Sequence, residues 1–387
     1  MDSSKISERI KEVAGLFFKL GWMAFGGPAA HIAMMEEEVV TKRRWMSREH
    51  FLDLIGATNL IPGPNSTEMA IHCGFQRAGW VGLIIAGICF IFPAVFLTSG
   101  LALVYVKYGS VPAVEPFFYG IRPAVIAVIL GAVIKLGKKA VKNIELGAIG
   151  TVVMLAVLAG MSEIGAILAG GVLGMLWLSA KGRSKVNLFS ILPVSVVPKW
   201  PVLAAAVVVP VGVSFNNLFL VFLKIGMVLF GSGYVLIAYL DGELVEKLGW
   251  ISRDQLLDAV AVGQFTPGPV LSTATFIGYL INGPAGAVAA TVGIFLPAFV
   301  LVAFLNPLIP HLRKSLWTAR FLDAVNASAV GIMAAVTVTM GRLAFSDIKT
   351  AVIAAASIFV SLVFPKLPAV WLLAGGSLAG YILKILF

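Results

Sequence analysis

The sequence predicts an all-α polytopic membrane protein of two homologous halves, arranged as inverted repeats with broken or re-entrant helices. Three observations carry this: apolar runs long enough to cross a bilayer, self-similarity at an offset of 205 residues, and loop charges that reverse between the copies.

Of the 387 residues, 59% are apolar and 12% charged, and mean hydropathy is +0.97. A soluble domain carries about 25% charged residues. Residues 81–106, 146–161, 285–310 and 351–364 hold no charge at all. About 18 consecutive apolar residues can cross the hydrocarbon layer as a helix, and the short alternating strands of a membrane barrel are absent from the pattern. The formal charge of +10 sits in short loops, without the interleaved aromatics of a nucleic-acid surface. Cys73 and Cys89 have no metal or redox spacing. The polar first 13 residues lack the apolar core of a cleaved signal peptide.

Apolar segments fall near 14–35, 51–72, 79–106, 112–134, 144–160 and 163–180, then near 201–215, 218–240, 256–281, 284–310, 321–340, 350–364 and 367–387. They group into a first repeat, 1–180, a polar linker with one extra apolar segment, 181–217, and a second repeat, 218–387. A shift of 205 places Lys19, Gly21, Phe25 and Gly26 on Lys224, Gly226, Phe230 and Gly231. The same shift superimposes Trp45, Ser47 and Arg48 on Trp250, Ser252 and Arg253, and Pro62-Gly63-Pro64 on Pro267-Gly268-Pro269. One residue of slippage then aligns Pro93 with Pro297. An offset that holds over such a length marks a duplicated unit.

Loop charge separates the copies. Lys and Arg number four in 36–50 and two in 241–255, four in 135–142 and two in 339–349, but one in 107–112 and three in 311–320. Under the positive-inside rule the halves then face opposite ways, the usual build of secondary transporters that bind substrate where the repeats meet. Loops 36–50 and 135–142 share a side only if one of the three segments between them is re-entrant. Segment 51–72, with its Pro-Gly-Pro, is the candidate.

Residues Phe25-Gly26-Gly27-Pro28 predict a broken helix restarting at Pro28, with His31 one turn on. Free amides at such a start favour an anion; a packing kink without ligand is the competing reading. The second copy, Phe230-Gly231-Ser232-Gly233-Tyr234, lacks the proline and histidine, so the two places are not equivalent.

The second break runs Asn59-Leu60-Ile61-Pro62-Gly63-Pro64-Asn65-Ser66-Thr67, echoed by Gln264-Phe265-Thr266-Pro267-Gly268-Pro269 with Ser272 and Thr273 beyond. Each second proline can open a helix at its first turn, leaving amides and hydroxyls beside a positive helix end. Matched breaks in both halves point to a transporter site; a tight surface turn is the alternative. Trp45-Met46-Ser47-Arg48 and its copy read as interfacial Trp plus helix cap, with Ser252 and Gln255 forming a capping box.

Lys19, His31, Glu68, His72, Arg122, Lys224 and Asn326 stand alone in apolar surroundings. Such groups face a cavity or a partner, or snorkel from a helix end. Arg122, followed by Pro123 and preceded by Gly120, is the first choice to grip a tetrahedral anion with its planar fork. No metalloprotease, hydrolase, P-loop or dinucleotide motif is present, so neither an enzyme nor an ATP-driven pump is expected, and no cofactor.

On Phe25-Gly26-Gly27-Pro28 with His31, the acidic run Glu36 to Glu38, Trp45 and the paired Pro-Gly-Pro motifs, the chain resembles the long, two-domain chromate ion transporter family from Phe17 to about Tyr381. The resemblance implies chromate export across the bacterial inner (plasma) membrane, hence chromate resistance, with sulfate as a mimic of the same charge and shape. A dianion leaving a negative-inside cell gains about 4.6 kcal/mol at 100 mV, twice ~2.3 kcal/mol per charge. The expected partners are chromate, sulfate and the lipid bilayer; self-association into a homo-oligomer is left open. Sulfate or other oxyanion uptake, and a lipid-handling or assembly role without a small ion, are the alternatives.

Overall fold

Proline and glycine interrupt the apolar runs, and the way each interruption turns the chain decides the fold. The computed structural model describes residues 3–25, 27–109, 115–181, 213–231, 233–305, 315–344, 347–364 and 367–386. Gly26, Ser232 and most of the expected linker with its extra apolar segment (182–212) lie outside the described residues.

Fourteen α-helices make up the described chain. The first half holds α1 (Ser3–Met23), α2 (Pro28–Glu36) continuing as a π-helical turn (Glu37–Lys42), α3 (Arg48–Thr58), α4 (Asn65–Tyr108), α5 (Glu115–Ala140), α6 (Ile144–Leu158) and α7 (Glu163–Lys181). The second holds α8 (Phe215–Val228), a 3-10 turn (Gly233–Val235), α9 (Leu236–Leu240), a π-helical turn (Asp241–Lys247) and α10 (Arg253–Phe265). It continues with a 3-10 turn (Val270–Ser272), α11 (Thr273–Leu305), α12 (Leu316–Ala344), α13 (Ile348–Val363) and α14 (Ala369–Leu386). The π-helical turns fall at matching places in both copies. Ser47 and Ser252 cap α3 and α10 as expected, the latter with Gln255 completing the capping box.

Segment 14–35, read as one apolar run, is instead a hairpin. Arg77 binds Glu12 of α1 (Nη2 to Oε2, 2.6 Å) and stacks on Trp45 beyond the π-helical turn (5.4 Å). Both ends of α1–α2 therefore reach one face, here face A, and Ala24, Phe25 and Gly27 lie at the tip.

Segment 51–72 is the expected re-entrant element. His50 lies within electrostatic reach of His72, and Asn65 Nδ2 donates to Asn59 Oδ1 at 2.8 Å, so α3 and 65–77 run antiparallel about a tip at Pro62-Gly63-Pro64. The 11 residues of α3 extend only ~16 Å, too short to cross a ~30 Å core.

At Ala78 (φ −137°, ψ 22°) and Gly79 (φ 62°, ψ −148°) the chain reverses, and 80–108 crosses to face B. Asn282 (φ −143°, ψ 35°) and Gly283 (φ 56°, ψ −149°) repeat the reversal in the second half. The left-handed backbone needs glycine at both places. Gly74 and Gly82 make the fold-back close: a Cβ on either would strike the other's carbonyl oxygen.

The crossing helices settle the orientation of the halves. Gly87 packs on Phe299, whereas Val95 and Ser99 share a 280 Å³ groove with Pro284, Ala287 and Val288. Helix 80–108 and its copy, 284–305, thus run antiparallel, and the repeats are inverted. From the first copy the hairpins enter at face A; from the second they enter at face B. Ile84, Ile88, Phe92 and Phe96, one stripe of the crossing helix, are exposed as lipid-facing residues would be.

Helix α5 returns the chain to face A. Loops 36–50 and 135–142 therefore share a side, as their charges required. Pro123 does not break α5, which is helical from Glu115 to Ala140; Gly120 packs tightly on Gly376 and Gly380 of α14. Among the described residues, five helices are long and apolar enough to cross a membrane, with shorter apolar helices beside them.

Candidate functional site

Four hairpin tips meet halfway along the crossing helices. Gly268 N–H donates to Ala24 O at 2.8 Å, and Gly63 N–H donates to Leu229 O at 2.8 Å. Residue 24 is the copy of 229 and residue 63 the copy of 268, so the two bonds are one bond seen twice through the pseudo-two-fold axis. Gly268 lies against Ala94 and Gly63 against Ala298, near the middle of each crossing helix. Irregular backbone at such depth persists where protein buries it or a cavity meets it.

The first tip begins α2 at Pro28, the expected N1 proline, with Gly27 (φ 81°) as its cap and no side chain capping it. His31 is buried and its Nε2 is 2.9 Å from Ala24 O, with its ring edge-on to Phe90. Tyr234, hydrogen-bonded to Gln264, places its hydroxyl beside Gly27. Second-half polar groups thus meet a first-half helix start.

At the second tip Pro64 is the cap of α4 (φ −82°, ψ 97°) rather than its first-turn residue, because its extended ψ keeps it out of the helix. Asn65 and Ser66 are the first helical residues, and no side chain caps their amides. Ser66, Thr67 and Glu68 are buried; Thr67 Oγ1 and both Glu68 oxygens lack partners among the described residues. Asn59 links Ile55 O to Asn65, fixing the hairpin mouth.

The second-half tips are built alike with other chemistry. Thr266 bonds Val262 O and faces Thr98 (3.4 Å), where the first half pairs Ile61 with Val302. Pro267, Gly268 (φ 92°) and Pro269 form the break, but a 3-10 turn precedes α11, so the helix restarts at Thr273. Ser272 is buried, and its hydroxyl has no partner among the described residues. Asn326 of α12 comes to within 3.7 Å of the position a Cβ on Gly231 would take.

Arg122 does not join this group. Its Nε and Nη2 grip Asp258 at 2.9 and 3.0 Å, Nη1 holds Asp254 at 2.7 Å, and Tyr105 OH donates to Asp258 at 2.7 Å. Asp258 lies eight residues before Thr266 on α10, so the cluster stands about 12 Å from the tip. The fork chosen for an oxyanion is filled by carboxylates, its partner supplied 136 positions away.

Lysines stand nearer. Lys19 and Lys224 each precede their break by five residues. Lys224 is bound by Glu243 at 2.7 Å; Lys19 reaches Glu38 at 3.9 Å and is 57% exposed. Sequence reasoning noted both but ranked them below Arg122. It missed the carbonyls of Ala24 and Leu229, which carry no side-chain signal, and Tyr234, whose copy is an alanine.

Comparison with known proteins identifies the family. No solved structure matches the chain. A chromate transport protein of Cupriavidus metallidurans is 30% identical over 96% of this chain and 93% of its own length. One of Pseudomonas aeruginosa is 31% identical over 95% and 90%. The family model described as chromate transporter matches twice, at residues 11–175 and 216–381, once for each inverted half, and the chain belongs to that family.

Proposed function

We propose that the protein exports chromate across the inner membrane, binding the dianion where the four hairpin tips meet, and so confers chromate resistance. The observation that carries this is the reciprocal pair Gly63–Leu229 and Gly268–Ala24, which brings helix starts from both faces to one depth. Helix starts and uncapped amides suit a tetrahedral anion. Gly27, Pro28 and His31, Pro62 to Thr67 and Thr266 to Ser272 border it, with Gly26, Ser232 and Asn59 adjoining in sequence or at the mouth. The two repeats, 1–180 and 218–387, would move against each other about this point, joined by 181–217.

Exit is the downhill direction for an unaccompanied dianion, by about 4.6 kcal/mol at 100 mV. The relatives named above as chromate transport proteins support the choice of ion. Face A carries the loops 36–50 and 135–142 and is assigned to the cytoplasm by its positive charge.

Counterflow of labelled chromate and labelled sulfate in proteoliposomes tests this reading. Chromate should exchange, and an imposed inside-negative potential should speed its exit. Sulfate exchange without chromate would replace the reading with sulfate transport; movement of neither ion would reject it.

A further inference from the structure

The halves differ most in what stands behind the second tip. Glu68 and His72 are wholly buried, and neither carboxylate oxygen nor either ring nitrogen has a hydrogen-bond partner among the described residues. On the offset of 204 that these helices share, their copies are Ser272 and Phe276, neither of which titrates near neutral pH. His50, across the hairpin on α3, has a buried Nε2 without a partner among the described residues; its copy is Gln255. The titratable trio is confined to one repeat.

Glu68 touches the tip itself, since a Cβ on Gly63 would collide with its Oε1. Glu68 and His72 share a helix face at i and i+4, and His72 lies in electrostatic reach of His50 in the first turn of α3 at face A. The three thus form a line from the tip to that face. Around the tip, α11 carries no charge, α1 supplies Glu12, held by Arg77, and Lys19, which is 57% exposed and turned to Glu38, and α2 supplies His31, bonded to Ala24 O. Among the described residues no cation pairs with the Glu68 carboxyl, and an ion so buried without a donor is strongly disfavoured.

We propose that Glu68 is a proton-binding site that loads together with the oxyanion, with His72 and His50 as its route to face A, so that the protein is a proton–anion symporter. This rests on the chromate reading above. An ionised Glu68 would repel a dianion at the adjoining tip. A protonated one is neutral and offers its O–H as a donor, so each ligand strengthens binding of the other. One proton accompanies each dianion, and the cycle moves one net negative charge instead of two.

The test uses the full chain in chromate-loaded liposomes at about pH 8, where chromate is a dianion, with potassium and valinomycin holding the potential at zero. A trapped pH dye and labelled chromate give protons moved per chromate. Wild type should alkalinise the lumen as chromate leaves, at about one proton per ion, and Glu68→Gln should move chromate with a ratio near zero. Because the readout is a ratio, a slower variant is still decisive. With the potential free, the charge moved per chromate should double in Glu68→Gln. Chromate exit from wild type without lumen alkalinisation overturns the proposal, as does a wild-type ratio in the variant. Wild-type protein that moves no chromate removes the chromate reading and this one with it.

Discussion

Gly268 gives its amide proton to the carbonyl of Ala24, 2.8 Å away and on the other repeat. Across the pseudo-axis Gly63 does the same for Leu229. Each donor sits between two prolines that have no amide to give, and each acceptor ends a helix whose last carbonyls are free to accept. The breaks of one half therefore satisfy the breaks of the other, and neither half completes the site alone.

That relationship makes Gly268 intolerant of a side chain. Its φ of 92° strains any L-residue, and a Cβ would lie 3.0 Å from Ala94 Cβ. Gly268→Ala should lower stability by about 1–3 kcal/mol, read as a reduced Tm in detergent, with slower chromate counterflow. Gly15→Ala, in α1 with nothing within 4 Å of the new methyl, is the matched control and should be neutral or slightly stabilising. Equal losses at both glycines would argue against a special tip geometry.

Inverted topology has a direct chemical readout. Arg43 follows the first π-helical turn and Lys247 ends the second, so the two belong to opposite faces. Single cysteines at these positions should react with impermeant maleimide from opposite sides of sealed vesicles. Labelling of both from one side would require parallel repeats and contradict the antiparallel crossing helices.

Much of this fold was readable because its punctuation is local. Pro28, the two Pro-Gly-Pro runs and the Ser252–Gln255 cap announce helix ends through missing amides and capping chemistry, wherever the chain then goes. The direction taken after a break is not local. Residues 24–27 read as a helix interruption, yet the chain turns back there because Arg77, far along the sequence, gathers Glu12 and Trp45 at one face. The reversals at Gly79 and Gly283 did leave a trace, both falling on the slipped offset of 204. The partner of Arg122 was hidden for the same reason: its chemistry suits an oxyanion, and nothing near it in sequence revealed Asp258.

The Arg122–Asp258 pair is accordingly expected to hold α5 to α10. Asp258 is 1% exposed, and Arg122→Met would leave it with Tyr105 as a donor, a loss of about 3–5 kcal/mol for a buried pair broken on one side. Replacing both, Arg122→Met with Asp258→Leu, should restore most of the Tm and leave chromate affinity near wild type. If chromate affinity falls in the double variant while Tm recovers, the guanidinium serves the anion after all.

A dianion at the tips still needs a cation within reach, and Lys19 is the better placed of the two lysines. It precedes Ala24 by five residues, about 8 Å along α1. Lys224 is held by both oxygens of Glu243, which also binds Lys247, whereas Lys19 meets Glu38 at 3.9 Å and Glu38 has Lys42 and Arg43 as closer partners. Losing Lys19 therefore leaves no orphaned carboxylate, and the effect of its removal falls on the anion. One positive charge 8 Å from a dianion contributes about 1 kcal/mol at the dielectric of water. Lys19→Gln should then weaken apparent chromate affinity from face A about fivefold, and Lys19→Arg should preserve it. Because the residue is exposed, the difference should shrink as ionic strength rises and the Debye length falls to about 3 Å at 1 M salt. Lys224→Gln should change affinity less than Lys19→Gln, Glu243 keeping its ammonium there for itself. An unchanged affinity in Lys19→Gln at low salt would assign the lysine to the membrane interface and leave the anion to the tip amides alone.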